Sequence, residues 1–266
     1  MSGLGTRDWG FDTPRPRIPE PQSRIPILRL LSADFVTSAA AGGHSTGVPT
    51  DGLGQIALAG RSNVGKSTLL NALVRRKVAR TSAAPGKTRL ANIFRLTVEG
   101  GTGGPGRWSL YLVDLPGYGY ARGGADSANE LAEVAAAYFA TGRGTGFGMR
   151  DSSNGIHPPH GESRVPGPES RQAQGPRATL LLVDCRHPGL ESDLQAYRWL
   201  STVGTPPHIV ATKVDKLSRA ERVRNLRELE RVFGNPPLPM SATGGEGLDE
   251  LWRLIARLAR PRENSR

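Results

Sequence analysis

The sequence predicts an α/β fold built on a mainly parallel sheet, and three observations point to it. Apolar runs of strand length alternate with segments of helical spacing from Gln55 onward. A glycine-rich turn, Gly60 to Ser67, joins the first of these strands to the first helix. Short polar motifs stand at the ends of two later strands, at Asp114 to Gly117 and at Thr212 to Asp215.

Residues 1–25 are rich in Pro, Arg and Gly without periodic apolar pattern, so a disordered N-terminal tail is expected there. Ordered structure is expected to begin near Ile25 to Val36, opening one domain over 26–260, with a short tail over 261–266. Gln55-Ile56-Ala57-Leu58-Ala59 reads as a buried strand, and Thr68 to Val74 has the apolar spacing of a helix. Ala91 to Val98 and Trp108 to Asp114 flank a glycine-rich tip, Gly100 to Gly106, which predicts a hairpin. A helix follows at Leu131 to Ala140. Over 141–177 the pattern breaks into Gly and Pro, as in a flexible insertion, and His157 and His160 there read as solvated rather than as metal ligands. Beyond it, strands are predicted at Thr179 to Asp184, His208 to Thr212 and Leu238 to Ser241. Helices are predicted at Leu190 to Thr202, Arg219 to Phe233 and Leu248 to Leu258. There is no internal repeat.

Bulk composition narrows the class. The chain has 266 residues, 37% of them hydrophobic, with 34 Gly and 21 Pro, which fits a folded core carrying flexible segments. No stretch approaches the ~18 apolar residues of a membrane span. The N-terminus lacks the apolar core of a signal peptide, and its Asp8, Asp12 and Glu20 argue against a transit peptide. Cys185 is the single cysteine and lies in an apolar run, so a packed core thiol in a reducing compartment is expected, with a cytoplasmic setting. The formal charge is +11, which favours polyanion partners. Arg75-Arg76-Lys77 with Arg80, Lys87 and Arg89 is the one concentrated basic cluster. Two readings of it stand: contact with RNA phosphates, or a solvated face in an arginine-rich chain.

Gly60-Arg61-Ser62-Asn63-Val64-Gly65-Lys66-Ser67 is a full G-x-x-x-x-G-K-[ST] phosphate loop between strand and helix. Such a turn aims successive backbone N–H groups and a helix amino end at one spot, where a polyphosphate fits. Lys66 would reach the β/γ-phosphate oxygens, and the Ser67 hydroxyl would ligate Mg²⁺.

Three further elements choose the base. Asp114-Leu115-Pro116-Gly117 has the D-x-x-G form: its aspartate would hold the Mg²⁺ shell and the Gly117 N–H would meet the γ-phosphate. Thr212-Lys213-Val214-Asp215 follows an apolar strand. The Asp215 carboxylate can accept from guanine N1–H and the exocyclic amine, donors that adenine does not offer, and such a site discriminates by ~10⁴-fold or more. The Lys213 stem can cover one face of the base. Ser241-Ala242, one strand and one helix further on, suits a loop whose N–H meets guanine O6. Together these motifs read as a GTP site.

The phosphate loop, Thr81-Ser82-Ala83-Ala84-Pro85-Gly86-Lys87-Thr88-Arg89 and Val113-Asp114-Leu115-Pro116-Gly117-Tyr118-Gly119-Tyr120-Ala121 resemble the EngB family of translation-factor-related GTPases. The similarity runs over about 33–260, interrupted by the insertion. Thr212 stands where many GTPases have Asn, a variation this family shares. The resemblance implies a Ras-like P-loop GTPase domain, with a six-stranded, mostly parallel sheet, one antiparallel strand and helices on both faces. It implies Mg²⁺ bound by Ser67 and Thr88. Nucleotide contacts are implied from Gly86, Lys87, Thr88, Arg89 and Leu90, from Asp114 to Gly117, from Thr212 to Asp215, and from Met240, Ser241 and Ala242. It further implies GTP hydrolysis with Lys66, Thr88 and Gly117 at the reacting phosphate, a role in assembling the large ribosomal subunit on its rRNA, and a need for the protein in normal septation. A monomer without membrane attachment is expected. The long tail, the glycine-expanded hairpin tip and the insertion depart from the family pattern and touch no nucleotide motif.

Tyr118 occupies the position where Ras-type enzymes carry a water-orienting glutamine, so slow intrinsic hydrolysis is expected. Asn63 resembles the asparagine that binds K⁺ in potassium-activated GTPases, which adds K⁺ as a candidate cofactor. A nucleotide-gated RNA- or ribosome-binding scaffold with negligible turnover stands as the alternative function.

Overall fold

The computed structural model describes residues 28–40, 48–49, 51–79, 90–100, 106–118, 138, 176–203 and 206–259. In chain order the elements are β1 (Arg29–Ala40), β2 (Gly54–Gly60), α1 (Lys66–Val74), β3 (Leu90–Glu99), β4 (Arg107–Asp114), β5 (Ala178–Asp184) and α2 (Glu191–Val203). Then follow β6 (His208–Thr212), a 3₁₀ turn (Val214–Lys216), α3 (Arg219–Phe233), β7 (Leu238–Pro239) and α4 (Leu248–Ala259). The expected tails over 1–25 and 261–266, and residues 141–175 of the expected insertion, lie outside the described residues. Of the helix expected at Leu131 to Ala140 only Tyr138 is described; it is helical, buried, and donates its hydroxyl to Gln55 Oε1.

The strands lie in the order β1-β3-β4-β2-β5-β6-β7. β3 pairs antiparallel with both β1 and β4, and the remaining neighbours pair parallel, so β3 alone runs against the others. The fold class is the predicted one, but the strand count is corrected from six to seven among the described residues, because β1 adds an edge. An edge strand buries little, so its periodic signal is weak. In β1, Ala33 is buried while Asp34, Phe35 and Val36 are exposed, and two register shifts interrupt its pairing with β3. The predicted hairpin forms from β3 and β4, closed by Gly100 N–H donating to the Gly106 carbonyl at 3.2 Å.

Strands β2 and β5 are buried along their whole length, as central parallel strands covered on both faces must be. Alternate residues serve opposite sides. Ala57, Ala59, Leu181 and Val183 pack with Leu200 of α2 and Phe233 of α3. Ile56, Leu58, Leu180 and Leu182 pack with Leu70 of α1 and Ile255 of α4. Each such Leu or Ile contributes roughly 1.5–3 kcal/mol through burial. Gly54 lets α4 close on the sheet: a Cβ there would stand 2.1 Å from the Ala259 carbonyl oxygen.

α3 has the bounds the sequence predicts because both ends are written locally. Ser218 and Glu221 form a reciprocal capping box, and Gly234, at φ 74°, ends the helix with its N–H on the Glu230 carbonyl. Cys185 is fully buried, and burial pushes its thiol up to about 11, as suits a core residue.

Candidate functional site

Loops from the carboxyl ends of β2, β4, β5 and β6 meet at one edge of the sheet, the position at which open parallel sheets hold ligands. The turn from β2 enters α1 through Gly65, whose φ of 109° is in the region that favours glycine, and among the described residues no side chain caps the amino end of α1. Asn63 is also left-handed, at φ 63°. Lys66 folds back, its Nζ donating to the Gly60 carbonyl at 2.9 Å.

The D-x-x-G segment lies against this turn. Leu115 N–H donates to the Leu58 carbonyl at 3.0 Å, and Ser62 N–H to the Tyr118 carbonyl at 2.9 Å. Gly117 is packed so closely that a Cβ would fall 2.9 Å from Ser62 Oγ and 3.0 Å from Lys66 Nζ. Asp114 is buried, and its Oδ1 has no hydrogen-bond partner among the described residues. Burial raises its carboxyl to about 6, although the charge of Lys66 pulls it down. Burial likewise lowers Lys66, opposed by Asp114. An orphaned hard oxygen donor, with the Ser67 hydroxyl at the head of α1, suits a divalent cation of Mg²⁺ type, so these residues fit the metal that the motifs imply.

The T-K-x-D segment is tied to the same turn. Thr212 Oγ1 donates to the Val64 carbonyl at 2.9 Å and is 3.2 Å from the Val183 carbonyl. Lys213, left-handed at φ 61°, donates from Nζ to the Asn63 carbonyl at 2.7 Å and to Asp184 Oδ2 at 3.0 Å. Val214 N–H donates to the Met240 carbonyl at 3.3 Å, which brings the Met240-Ser241-Ala242 loop alongside. Asp215 is exposed, and its carboxyl is held below the usual range, first by a hydrogen bond from Ser241 and then by Lys216.

The four predicted segments around Gly60 to Ser67, Asp114 to Gly117, Thr212 to Asp215 and Met240 to Ala242 are therefore linked by direct contacts. Within them Val64, Leu115, Val214 and Met240 turn their side chains into the core, leaving only backbone for a ligand. Gly86, Lys87, Thr88 and Arg89 lie outside the described residues, and Leu90 opens β3 with its side chain exposed.

Two features escaped the sequence reading. Asp184, at the end of β5, accepts from Arg186 Nε at 2.9 Å, from Arg186 Nη2 at 2.8 Å and from the Arg186 backbone N–H at 3.1 Å, besides Lys213. Burial works to raise its carboxyl, but these donors outweigh it and hold it at about 2. A carboxylate at a strand end on the ligand-binding edge was the available signal. The second is the partner of Tyr118: the tyrosine ring is buried and its hydroxyl donates to Asp193 Oδ1 at 2.8 Å. Burial raises the Tyr118 hydroxyl well above its ordinary value, with the Asp193 charge adding to the shift, and burial also raises the Asp193 carboxyl.

A family model described as "50S ribosome-binding GTPase" matches residues 55–148. The chain is 36% identical over 235 residues to the "Probable GTP-binding protein EngB" of Pelotomaculum thermopropionicum, covering 86% of this chain and 96% of that protein. To the protein of the same name from Solibacter usitatus it is 37% identical over 226 residues, covering 85% and 95%. Among solved structures it is similar to "Crystal structure of a probable GTP-binding protein engB", with TM-score 0.50, 21% identity, and coverage of 78% of this chain and 100% of that one. Phosphate loop, D-x-x-G turn and T-K-x-D loop, joined at one sheet edge in a chain with these relatives, identify it as a member of the EngB family, GTPases with a Ras-like P-loop fold.

Proposed function

We propose that this chain binds Mg²⁺·GTP at the described edge, hydrolyses it slowly, and uses the nucleotide state to act on the large ribosomal subunit during its assembly. The observation that supports the nucleotide reading most is the hydrogen bond from Lys213 to the Asn63 carbonyl, because it joins the base-selecting loop to the phosphate loop.

In this reading the Asp215 carboxylate accepts from guanine N1–H and the exocyclic amine, with the Met240-Ser241-Ala242 loop beside it. Lys66 leaves the Gly60 carbonyl to neutralise phosphate charge. Ser67 and Thr88 would hold the metal and the orphaned Asp114 oxygen would support it through water; when bound, the ion would neutralise phosphate charge. Gly117, packed against Lys66 and Ser62, offers its N–H to the γ-phosphate. Water attacks the γ-phosphorus, the bond to the β-γ bridging oxygen breaks, and GDP and phosphate leave. Tyr118 is committed to Asp193, so it brings no water-orienting group to that position. Intrinsic turnover is accordingly slow, and a partner accelerates it.

The partner reading rests on the similarity to a family of ribosome-binding GTPases and on the exposed run Arg75-Arg76-Lys77 at the end of α1, which can neutralise RNA phosphates without sequence preference. A monomer acting in the cytoplasm and supporting septation belongs to the same reading. Among the described residues no helix is long and apolar enough to cross a membrane. Asn63 is a candidate to assist a K⁺ ion at the phosphates, and equal single-turnover rates in K⁺ and Na⁺ buffers remove that assignment.

The test is single-turnover GTP hydrolysis by the purified chain with and without large-subunit precursors. Stimulation supports the proposal. Nucleotide-dependent binding to precursors with no turnover in either condition supports instead a nucleotide-gated scaffold, the alternative that the commitment of Tyr118 favours.

A further inference from the structure

We infer that Asp184 is a positioning residue for base recognition: its carboxylate and the Asn63 carbonyl hold the Lys213 ammonium between them, which lays the lysine stem along one face of the bound guanine. The inference rests on the assignment of Asp215 as the reader of that base.

A lysine side chain is a flexible stem that loses much rotamer freedom when ordered, so a shelf made from it needs anchors. Lys213 has two, at 2.7 Å on Asn63 of the phosphate loop and 3.0 Å on Asp184 at the end of β5. Asp184 is itself fixed. Arg186 grips both of its oxygens in a fork, at 2.9 and 2.8 Å, and the Arg186 backbone N–H adds a third bond at 3.1 Å. The carboxylate side chain is 10% exposed, so these charge-assisted bonds are shielded from water. Asp184 also pairs with Thr212 across the β5–β6 ladder, so one strand end sets the register of the whole T-K-x-D loop.

A purely local role is the competing explanation, since Asp184 also closes the turn over 184–187: its side chain takes the Arg186 N–H, and its carbonyl takes the His187 N–H at 3.0 Å. The two roles differ in their dependence on Lys213. Fluorescent GDP affinity and dissociation are measured for Asp184→Asn, Lys213→Ala and the double variant, with Asp215→Asn as the control. Positioning through the lysine predicts that Asp184→Asn weakens GDP about tenfold alone and less than about twofold in the Lys213→Ala background. Equal losses in both backgrounds, or no loss alone, overturn the inference.

Should Asp184→Asn not fold, Arg186→Ala takes its place, because that side chain is 40% exposed. Freeing the carboxylate predicts about a threefold loss of GDP affinity, absent when Lys213 is already Ala. A loss of the same size in both backgrounds, or none in either, counts against the inference. Weaker GDP binding in Asp215→Asn without any effect at Asp184 or Arg186 overturns the inference alone. If Asp215→Asn also binds GDP unchanged, the base-recognition reading falls first.

Discussion

Tyr118 donates its hydroxyl to Asp193 Oδ1 at 2.8 Å, which fastens the residue after the D-x-x-G turn to the first turn of α2. Both residues are buried, and Asp193 Oδ2 has no partner among the described residues, so this single bond carries the solvation of a nearly enclosed carboxyl. The D-x-x-G segment is thus anchored on its far side by a bond inside the fold.

Tyr118→Phe removes the donor and keeps the ring. Asp193 then loses its bond to Tyr118, and the variant is destabilised by about 1–3 kcal/mol in urea unfolding. Intrinsic GTP hydrolysis, measured in single turnover, changes less than about twofold, because the phenol is committed to Asp193. A tenfold fall in that rate contradicts the placement of Tyr118.

Gly117→Ala tests the contact between the D-x-x-G turn and the phosphate loop. The new Cβ meets Ser62 Oγ at 2.9 Å and Lys66 Nζ at 3.0 Å, so the turn must retreat. Hydrolysis falls about tenfold or more as the N–H leaves the γ-phosphate. GDP affinity stays within about threefold, since GDP lacks that phosphate. Comparing kcat with the GDP dissociation constant checks both parts.

Asp114 makes the nucleotide-free protein sensitive to pH. Its folded value of about 6 lies above the ordinary 3.8, so its favourable contribution is full below about pH 4 and is lost as pH rises through about 6. The difference amounts to about 3 kcal/mol of stability lost by neutral pH. Asp114→Asn removes this dependence, so its unfolding free energy in nucleotide-free buffer exceeds that of the parent at pH 7 and approaches it at pH 4. Urea unfolding across that range measures the difference, and parallel profiles for the two proteins contradict it.

The elements read correctly from sequence are those whose signals are local. The phosphate loop has fixed spacing, β5 is a continuous apolar run, and α3 carries its own caps at Ser218 and Gly234. β1 escaped because its pairing with β3 is a tertiary fact and its residues are mostly half-exposed. The same holds for the site. Lys66, Gly117 and Asp215 are legible as motif members, whereas the tie from Thr212 to Val64 spans 148 positions and that from Lys213 to Asp184 spans 29. Tyr118 could be read only as a departure from glutamine; its partner Asp193 lies 75 positions away.

In the proposed function, one sheet edge grips polyphosphate while Asp215 selects guanine. Calorimetric titration of the nucleotide-free chain with GDP and with ADP in Mg²⁺ buffer, repeated on Asp215→Asn with GDP and the xanthosine diphosphate, tests it most directly. GDP binds, ADP binds at least about a thousandfold more weakly, and Asp215→Asn shifts its preference toward the xanthosine ligand, whose O2 accepts from the new amide. Equal uptake of GDP and ADP, uptake of neither, or unchanged GDP affinity in Asp215→Asn contradicts it.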